Sequence, residues 1–177
     1  GKSVWAPFPN MATYLMLVNY QFAAAQAAEE VLELANNQGA FTFWNHPGFE
    51  SPRAKIPGFH KAQVKAGKLH GVEIANGGRY YENAFRLALK HDLALIGTSD
   101  VHNLIDWDYK PGEGGHRPVT LTFAEEKTNE SAKEALFAKR TVVWWKNTLL
   151  GRPKEMNALL QASLKVSKTE WNDRGNT

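Results

Sequence analysis

The fold is decided by one stretch, Leu93-Ala94-Leu95-Ile96-Gly97-Thr98-Ser99-Asp100-Val101-His102. Its apolar beginning predicts a buried strand, and the Gly-Thr-Ser turn that follows delivers an acid and an imidazole. Asp100 and His102 are two residues apart, so in an extended segment their side chains leave on the same side. Together they offer the oxygen and nitrogen donors of a metal site. By itself, Asp-x-His is more typical of a capping acid beside a surface histidine, so the interpretation depends on the rest of the chain.

A second element of the same design lies upstream. The run Ala40-Phe41-Thr42-Phe43-Trp44 predicts a strand, which ends at Asn45-His46-Pro47-Gly48. Because proline restricts the residue before it to extended conformations, Pro47 is expected to fix the direction of the His46 imidazole. Alone, His46 would be interpreted as a hydrogen-bonded loop residue.

Strands alternate with helices along most of the chain. The predicted strands cover 40–44, 69–75, 93–98, 117–123 and 141–146, and the predicted helices cover 23–37, 59–66, 80–91, 128–138 and 154–163. This order indicates βαβ units and a parallel sheet, in which chemistry lies beyond the carboxyl ends of the strands. His46, Asn76 and the pair Asp100/His102 all fall at that end. Residues 103–116 are predicted to form a long polar loop that acts as a substrate lid or wall.

The helical periodicity also predicts which residues are buried. Val31, Leu34 and Ala35 share one face of the first helix, and Ala84, Leu87 and Ala88 share the buried face of the helix over 80–91. The adjacent Trp144 and Trp145 point to opposite faces of a strand, so one is expected in the core and the other over a neighbouring element. His60, His70 and His91 have no motif context and are interpreted as core or surface histidines.

Composition narrows the function classes. The chain has 177 residues, enough for one domain with a core, and its net charge of +3 is spread along the sequence. This argues against a dedicated nucleic-acid or membrane-surface binder. The lack of cysteine excludes disulfides and thiolate zinc sites. No apolar run reaches the roughly 20 residues of a membrane span. A soluble protein is expected, cytoplasmic or, if a longer parent carries a signal peptide, periplasmic.

Taken together, the motifs resemble those of the polymerase and histidinol phosphatase (PHP) family. They are Phe43-Trp44-Asn45-His46-Pro47-Gly48, Val72-Glu73-Ile74 followed by Asn76, and Gly97-Thr98-Ser99-Asp100-Val101-His102, in that order. The resemblance spans 39–102, and the strand–helix rhythm to about 165 is compatible with it. The region 106–148, with Gly114-Gly115-His116-Arg117-Pro118, is similar to the branch of phosphodiesterases or histidinol-phosphatase-like proteins.

The resemblance implies an α/β fold, part of a distorted (β/α)7 PHP-type barrel with parallel strands and flanking helices. It implies hydrolysis of phosphate esters, either monoesters or diesters, of a small phosphorylated substrate. Two or three divalent metal ions in the complete domain would activate a water molecule as the nucleophile. Zinc, manganese or iron would suit the mixed nitrogen and oxygen donors better than calcium.

The resemblance implies that three residues of these motifs are metal ligands: His46, Asp100 and His102. Glu73 is a further candidate ligand, with a structural or supporting role as the alternative. His116 and Arg117 follow a Gly-Gly turn and are candidate catalytic residues that contact a phosphate oxygen or protonate the leaving group. For Arg117 a solvated charge at the start of a strand is the competing interpretation.

The sequence also departs from the family pattern. The family's opening His-x-His, the next Asp/His motif and the early glutamate have no counterpart, and no histidine precedes His46. Residues 1–166 are therefore expected to be the carboxyl-terminal portion of a PHP-like domain, followed by a polar, frayed tail over 167–177. Its expected partner is the missing amino-terminal half, and the isolated fragment is expected to be weakly active or inactive.

Two alternatives remain open. The first is a metal-dependent amidohydrolase-like enzyme, which also builds His/Asp clusters at the ends of barrel strands. The second is a catalytically degenerate PHP-like binding module that holds no metal. Metal content after dialysis would separate the binding module from the two enzymes. Comparing hydrolysis of phosphodiesters with that of amides or lactones would separate the phosphoesterase from the amidohydrolase.

Overall fold

A computed structural model of the chain describes residues 25–47 and 56–164, so the predicted tail lies outside the described residues. The α-helices are α1 (Ala25–Asn37), α2 (Gly58–Lys65), α3 (Glu82–Lys90), α4 (Ile105–Tyr109), α5 (Asn129–Phe137) and α6 (Pro153–Ser163). The strands are β1 (Phe43–Trp44), β2 (Gly71–Asn76), β3 (Arg79–Tyr80), β4 (Ala94–Thr98), β5 (Val119–Thr122), β6 (Thr141–Trp145) and β7 (Thr148–Gly151). Over this part of the chain, no helix combines the length and apolarity that crossing a membrane requires.

The first sheet is built around β2. This strand pairs in parallel with β1, where Phe43 lies opposite Gly71, and with β4, where Gly71 lies opposite Ala94. The short strand β3 pairs antiparallel with the end of β2. All six residues of β2 are buried, as expected for a parallel strand covered on both faces. The predicted α/β class is confirmed, and so is the parallel order of β1, β2 and β4, whose carboxyl ends lie side by side.

The second sheet departs from the predicted parallel order. Its strands β5, β6 and β7 are consecutive and antiparallel. The connection between β6 and β7 is the two-residue turn 146–147, which is long enough for a hairpin and far too short for a parallel crossover. Strand β7 was missed from the sequence because its apolar core is a single Leu-Leu pair. Neither sheet closes among the described strands, so a complete barrel is not seen there.

Two threonine hydroxyls join the sheets without a main-chain ladder. Thr141 Oγ1 of β6 accepts a hydrogen bond from the Leu95 amide at 3.2 Å. Thr120 Oγ1 of β5 accepts one from the Gly97 amide at 2.9 Å and donates to the Gly97 carbonyl at 3.0 Å. Buried main-chain groups on the free edge of β4 therefore have partners. This holds β4, and the loop that follows it, against the second sheet.

The helices cover the sheets with the predicted faces, with one exception. Ala84, Leu87 and Ala88 of α3 are buried in the main core, as predicted. In α1 the buried residues are Leu32 and Ala35, whereas Leu34 is 60% exposed. The prediction for Leu34 was wrong because positions 32 and 35 set the inward face, and Leu34 then falls outside it.

Residues 103–116 contain less irregular structure than predicted. They contain the helix α4 and a 3₁₀ turn over Pro111–Glu113. The Tyr109 hydroxyl, at the end of α4, donates a hydrogen bond to the Ser99 carbonyl. This bond ties the segment to the end of β4. The segment is thus a wall fixed beside the strand ends.

Gly97 is part of β4 and lies inside the strand predicted over 93–98. A Cβ atom at this position would collide with the Val143 side chain of β6, which is fully buried. We expect Gly97→Ala to lower the free energy of unfolding by about 1–3 kcal/mol, since an overpacked core must shift its backbone. The matched control is Gly112→Ala, where a Cβ meets nothing within 4 Å. Urea denaturation measures both, and equal stability of the two variants would contradict this account.

Candidate metal-binding site and adjoining cleft

The site begins with His46, at the carboxyl end of β1. Its backbone amide and its ring Nδ1 both contact Glu73 Oε2 of β2, at 2.7 and 2.9 Å. To make both contacts the backbone adopts a φ of 49°, in the left-handed region. The extended conformation predicted from Pro47 is therefore wrong, because the buried carboxylate offers this loop an acceptor for two donors. The hydrogen bond to Glu73 raises the pKa of His46, against the opposing effect of burial.

Glu73 is fully buried, and hydrogen bonds engage both of its oxygens. Oε1 accepts from Asn76 Nδ2 at 3.2 Å and from Thr98 Oγ1 at 2.5 Å, while Oε2 takes the two His46 donors. Asn76 Nδ2 also lies 2.8 Å from His46 Nδ1. A buried carboxylate needs such partners to stay charged. This arrangement places Glu73 behind the imidazole, where it holds the ring in position.

Asp100 lies on the other side of the same imidazole. Its Oδ1 is 3.6 Å from His46 Nε2. With its proton on Nδ1, where it is donated to Glu73, the neutral ring turns Nε2 toward Asp100. Asp100 also has a left-handed backbone, with a φ of 51°. The separate loops after β1 and β4 thus bring an imidazole nitrogen and a carboxylate oxygen together, as the sequence predicts.

His102 is placed differently from the prediction. Its ring Nδ1 lies 2.7 Å from the Asp100 carbonyl oxygen, and its side chain is exposed. The left-handed turn at Asp100 interrupts the extended segment that would have put both side chains on one side. Among the residues that the structure describes, no three His, Asp or Glu side chains form a group that could hold a metal ion. The four-ligand set of His46, Glu73, Asp100 and His102 therefore stays a prediction.

The donors that do converge fit a metal ion in part. His46 Nε2 and Asp100 Oδ1 are a nitrogen and an oxygen donor of the type that zinc, manganese and iron accept. The Glu73 carboxylate behind Nδ1 is the partner that metal-binding histidines characteristically have, since it fixes the tautomer and raises the basicity of the ring. Two donors alone leave most of a coordination sphere to other groups.

A cleft of about 370 Å³ adjoins the couple of His46 and Asp100. It is lined by groups from five segments of the chain, among them Gly77, Asp100, Tyr109, His116 and Lys146. The volume lies within the range of pockets that hold small molecules. Asp100 therefore belongs both to the couple and to the wall of the cleft.

The two predicted catalytic residues differ in position. His116 lines the cleft, with its ring centroid 4.3 Å from that of Trp144 at an interplanar angle of 34°, and its Nδ1 lies 3.1 Å from the Arg117 carbonyl. Its Nε2 is buried with no hydrogen-bond partner among the described residues. Arg117 is not among the lining residues, and its predicted role stays untested.

The remaining histidines of interest have core roles. His60 packs against Trp44, with ring centroids 4.4 Å apart, and burial lowers the pKa of His60 to about 4. His70 Nδ1 lies 3.1 Å from the Thr42 amide, and burial lowers the pKa of His70. Both match the interpretation that they are structural.

Sequence reasoning missed three residues of the site. Thr98 donates a hydrogen bond to Glu73, and Tyr109 donates one to the Ser99 carbonyl. Lys146 lines the cleft from the β6–β7 turn. Thr98 could have been found, because it ends a predicted strand two residues before Asp100. Nothing in the local sequence marks Tyr109 or Lys146, since each reaches the site through the packing of a distant element.

The chain has an α/β fold, and its imidazole–carboxylate couple lies just beyond the carboxyl ends of parallel strands. Proteins of this class place their chemistry at that edge of the sheet. Within that class, the chain is similar to a two-domain protein of Bacteroides vulgatus containing a predicted PHP-like metal-dependent phosphoesterase, whose crystal structure matches with a TM-score of 0.76 and 35% identity. The match covers 82% of this chain and 43% of that protein, so this chain spans less than half of its length. The predicted resemblance to the PHP family is confirmed. No family model matches the chain, and no curated protein does.

Proposed function

We propose that the chain is part of a divalent-metal-dependent phosphoesterase that hydrolyses small phosphate esters. One observation carries the proposal: His46 is held by the buried Glu73 carboxylate on one side and faces Asp100 on the other. The similarity to a PHP-like phosphoesterase supports the same reaction class. The finer parts of the proposal are a distorted barrel completed by other residues, zinc, manganese or iron as the metal, and low activity of this chain alone.

Each residue of the site would have its own role. His46 and Asp100 would hold a metal ion, Glu73 would orient His46, and His102 would join them if its ring left the Asp100 carbonyl. When bound, the ion would neutralise charge on the phosphoryl group and supply an activated water. His116 would contact the substrate in the cleft, and Arg117 would add positive charge nearby.

Metal binding tests the proposal directly. Dialysed protein is titrated with Zn²⁺ and Mn²⁺ by calorimetry, and hydrolysis of bis(p-nitrophenyl) phosphate and p-nitrophenyl phosphate is measured alongside. Asp100→Ala removes one donor, so we expect metal affinity to fall at least about tenfold, with the fold retained. Asp106→Ala, which replaces an exposed aspartate of α4, is the matched control. Wild-type affinity in Asp100→Ala would refute the assignment.

A binding module without chemistry is the second candidate. One observation favours it: over the described ranges, no group of three potential ligands is assembled. Such a module should hold no metal by elemental analysis after dialysis. Stoichiometric metal in the purified chain would exclude it.

A further inference from the structure

Two successive carbonyl groups just before Asp100 are held by other parts of the chain. The Thr98 carbonyl accepts a hydrogen bond from the Gly77 amide at 3.1 Å. The Ser99 carbonyl accepts one from the Tyr109 hydroxyl at the end of α4. Because a carbonyl and the amide that follows it share one rigid plane, the second bond fixes the peptide plane from which Asp100 begins. A side chain of a different element thus sets the direction in which the chain enters Asp100.

The backbone of Asp100 then turns in an unusual way. Its φ is 51°, a left-handed conformation that few residues other than glycine adopt, although aspartate is among those that do so more often. With this backbone, Asp100 Oδ1 lies 3.6 Å from His46 Nε2. Sparsely populated conformations persist at functional sites because surrounding contacts hold them. The Tyr109 hydrogen bond is such a contact, since it acts on the peptide group next to the N–Cα bond that φ describes.

The Tyr109 hydroxyl is suited to donate this bond. Burial, together with the carboxylates of Asp108 and Asp100, raises the pKa of Tyr109, so the hydroxyl keeps its proton at neutral pH. The bond also lies against the main chain of Gly77, where a Cβ atom would be 3.4 Å from both the Tyr109 hydroxyl and the Ser99 carbonyl oxygen. The ends of β2, β4 and α4 therefore meet at this one hydrogen bond.

Tyr109 is itself held from its main-chain side. The Gly115 amide donates to the Lys110 carbonyl at 3.2 Å, so the chain turns back directly after α4. A Cβ atom on Gly115 would lie 1.9 Å from the Tyr109 carbonyl oxygen, a contact that only glycine permits. The tyrosine is thus fixed at both ends, by Gly115 at its carbonyl and by Ser99 at its hydroxyl. A functional side chain is placed accurately only when its support is rigid in this way.

We propose that Tyr109 is a positioning residue of the metal site: by holding the Ser99 carbonyl, it keeps the Asp100 carboxylate directed at His46 Nε2. This rests on the proposed metal-dependent function and adds a residue that lies outside the three motifs. Metal affinity should therefore depend on a hydroxyl group that does not contact the metal. If Tyr109 were only part of a wall, phenylalanine would replace it without loss.

A double-mutant cycle tests the proposal. Tyr109→Phe removes the hydroxyl and keeps the ring, and we expect the Zn²⁺ affinity of the full chain, measured by calorimetry, to fall about tenfold. In the Asp100→Ala background the same substitution should cause no further loss, because Tyr109 acts through Asp100. In the metal-free protein, the three-bond NMR coupling between the amide and Hα protons of Asp100, which depends on φ, should also change in Tyr109→Phe.

Two further variants control the cycle. Tyr80 is also half-buried, and its hydroxyl makes no hydrogen bond within the described ranges, so Tyr80→Phe should leave affinity and coupling unchanged. Gly115→Ala displaces Tyr109 without removing its hydroxyl and should weaken Zn²⁺ binding as well, whereas Gly112→Ala, where a Cβ atom meets nothing within 4 Å, should not.

The outcomes separate this proposal from the one on which it rests. Unchanged Zn²⁺ affinity in Tyr109→Phe, an unchanged coupling at Asp100, or losses that simply add in the double variant would each overturn the positioning role. A wild-type chain that binds neither Zn²⁺ nor Mn²⁺ would refute the metal-dependent function, and the coupling would then decide by itself whether Tyr109 sets the Asp100 backbone.

Discussion

Replacing Glu73 with alanine should lower the free energy of unfolding by roughly 3 kcal/mol or more, because partners of a buried charged group lose their acceptor. The His46 amide, the His46 ring, the Asn76 amide and the Thr98 hydroxyl all donate to this carboxylate. The carboxylate that these donors share is fully buried. Urea denaturation measures the loss. The same variant should bind Zn²⁺ about 10–100-fold more weakly, because His46 loses the group that orients it.

Two variants control this result. Glu73→Gln keeps the size of the side chain but places an amide nitrogen among donors, so its loss should be intermediate. Glu33→Ala removes an exposed carboxylate whose contact with Lys68 is 3.7 Å long, and such surface pairs contribute at most about 1 kcal/mol. If Glu73→Ala were no more destabilising than Glu33→Ala, Glu73 could not be the centre of the site.

The sequence predicts the strand ends well, for a physical reason. Short apolar runs such as 40–44 and 93–96 must be buried, and a polar or glycine-containing turn must end them. Parallel pairing then brings their carboxyl ends together, so His46 and Asp100 were expected at one edge, and the structure places them 3.6 Å apart. This part of the site depends only on local pattern and sheet topology.

The rest of the site depends on contacts that local pattern does not encode. His46 takes a left-handed backbone, against the preference of a residue before proline, and its amide and ring both contact Glu73. Lys146 reaches the cleft because the second sheet is an antiparallel hairpin, and strand propensity does not distinguish that from a parallel crossover. In each case tertiary packing overrides a local preference.

Acidification should destabilise the fold through His60. Burial against Trp44 lowers the pKa of His60 to about 4 from the 6.5 expected in the unfolded chain, and its Nδ1 is buried without a partner. Between these values the unfolded state takes up a proton that the folded state resists. The stabilisation is therefore complete above pH 6.5 and is lost as the pH falls toward about 4. The loss should reach roughly 3 kcal/mol, as followed by urea denaturation from pH 7 to pH 4.

His60→Phe isolates this contribution, because phenylalanine can pack against Trp44 and has no proton to bind. Over the same pH range, the free energy of unfolding of His60→Phe should fall by about 3 kcal/mol less than that of wild type. Some acid sensitivity should remain, since burial also lowers the pKa of His70. The raised pKa of His46 acts in the opposite direction, because a group that binds protons more tightly when folded gains stability as the pH falls. Parallel stability curves for the two proteins, or an imidazole resonance of His60 that titrates near pH 6.5 in the folded chain, would contradict the burial argument.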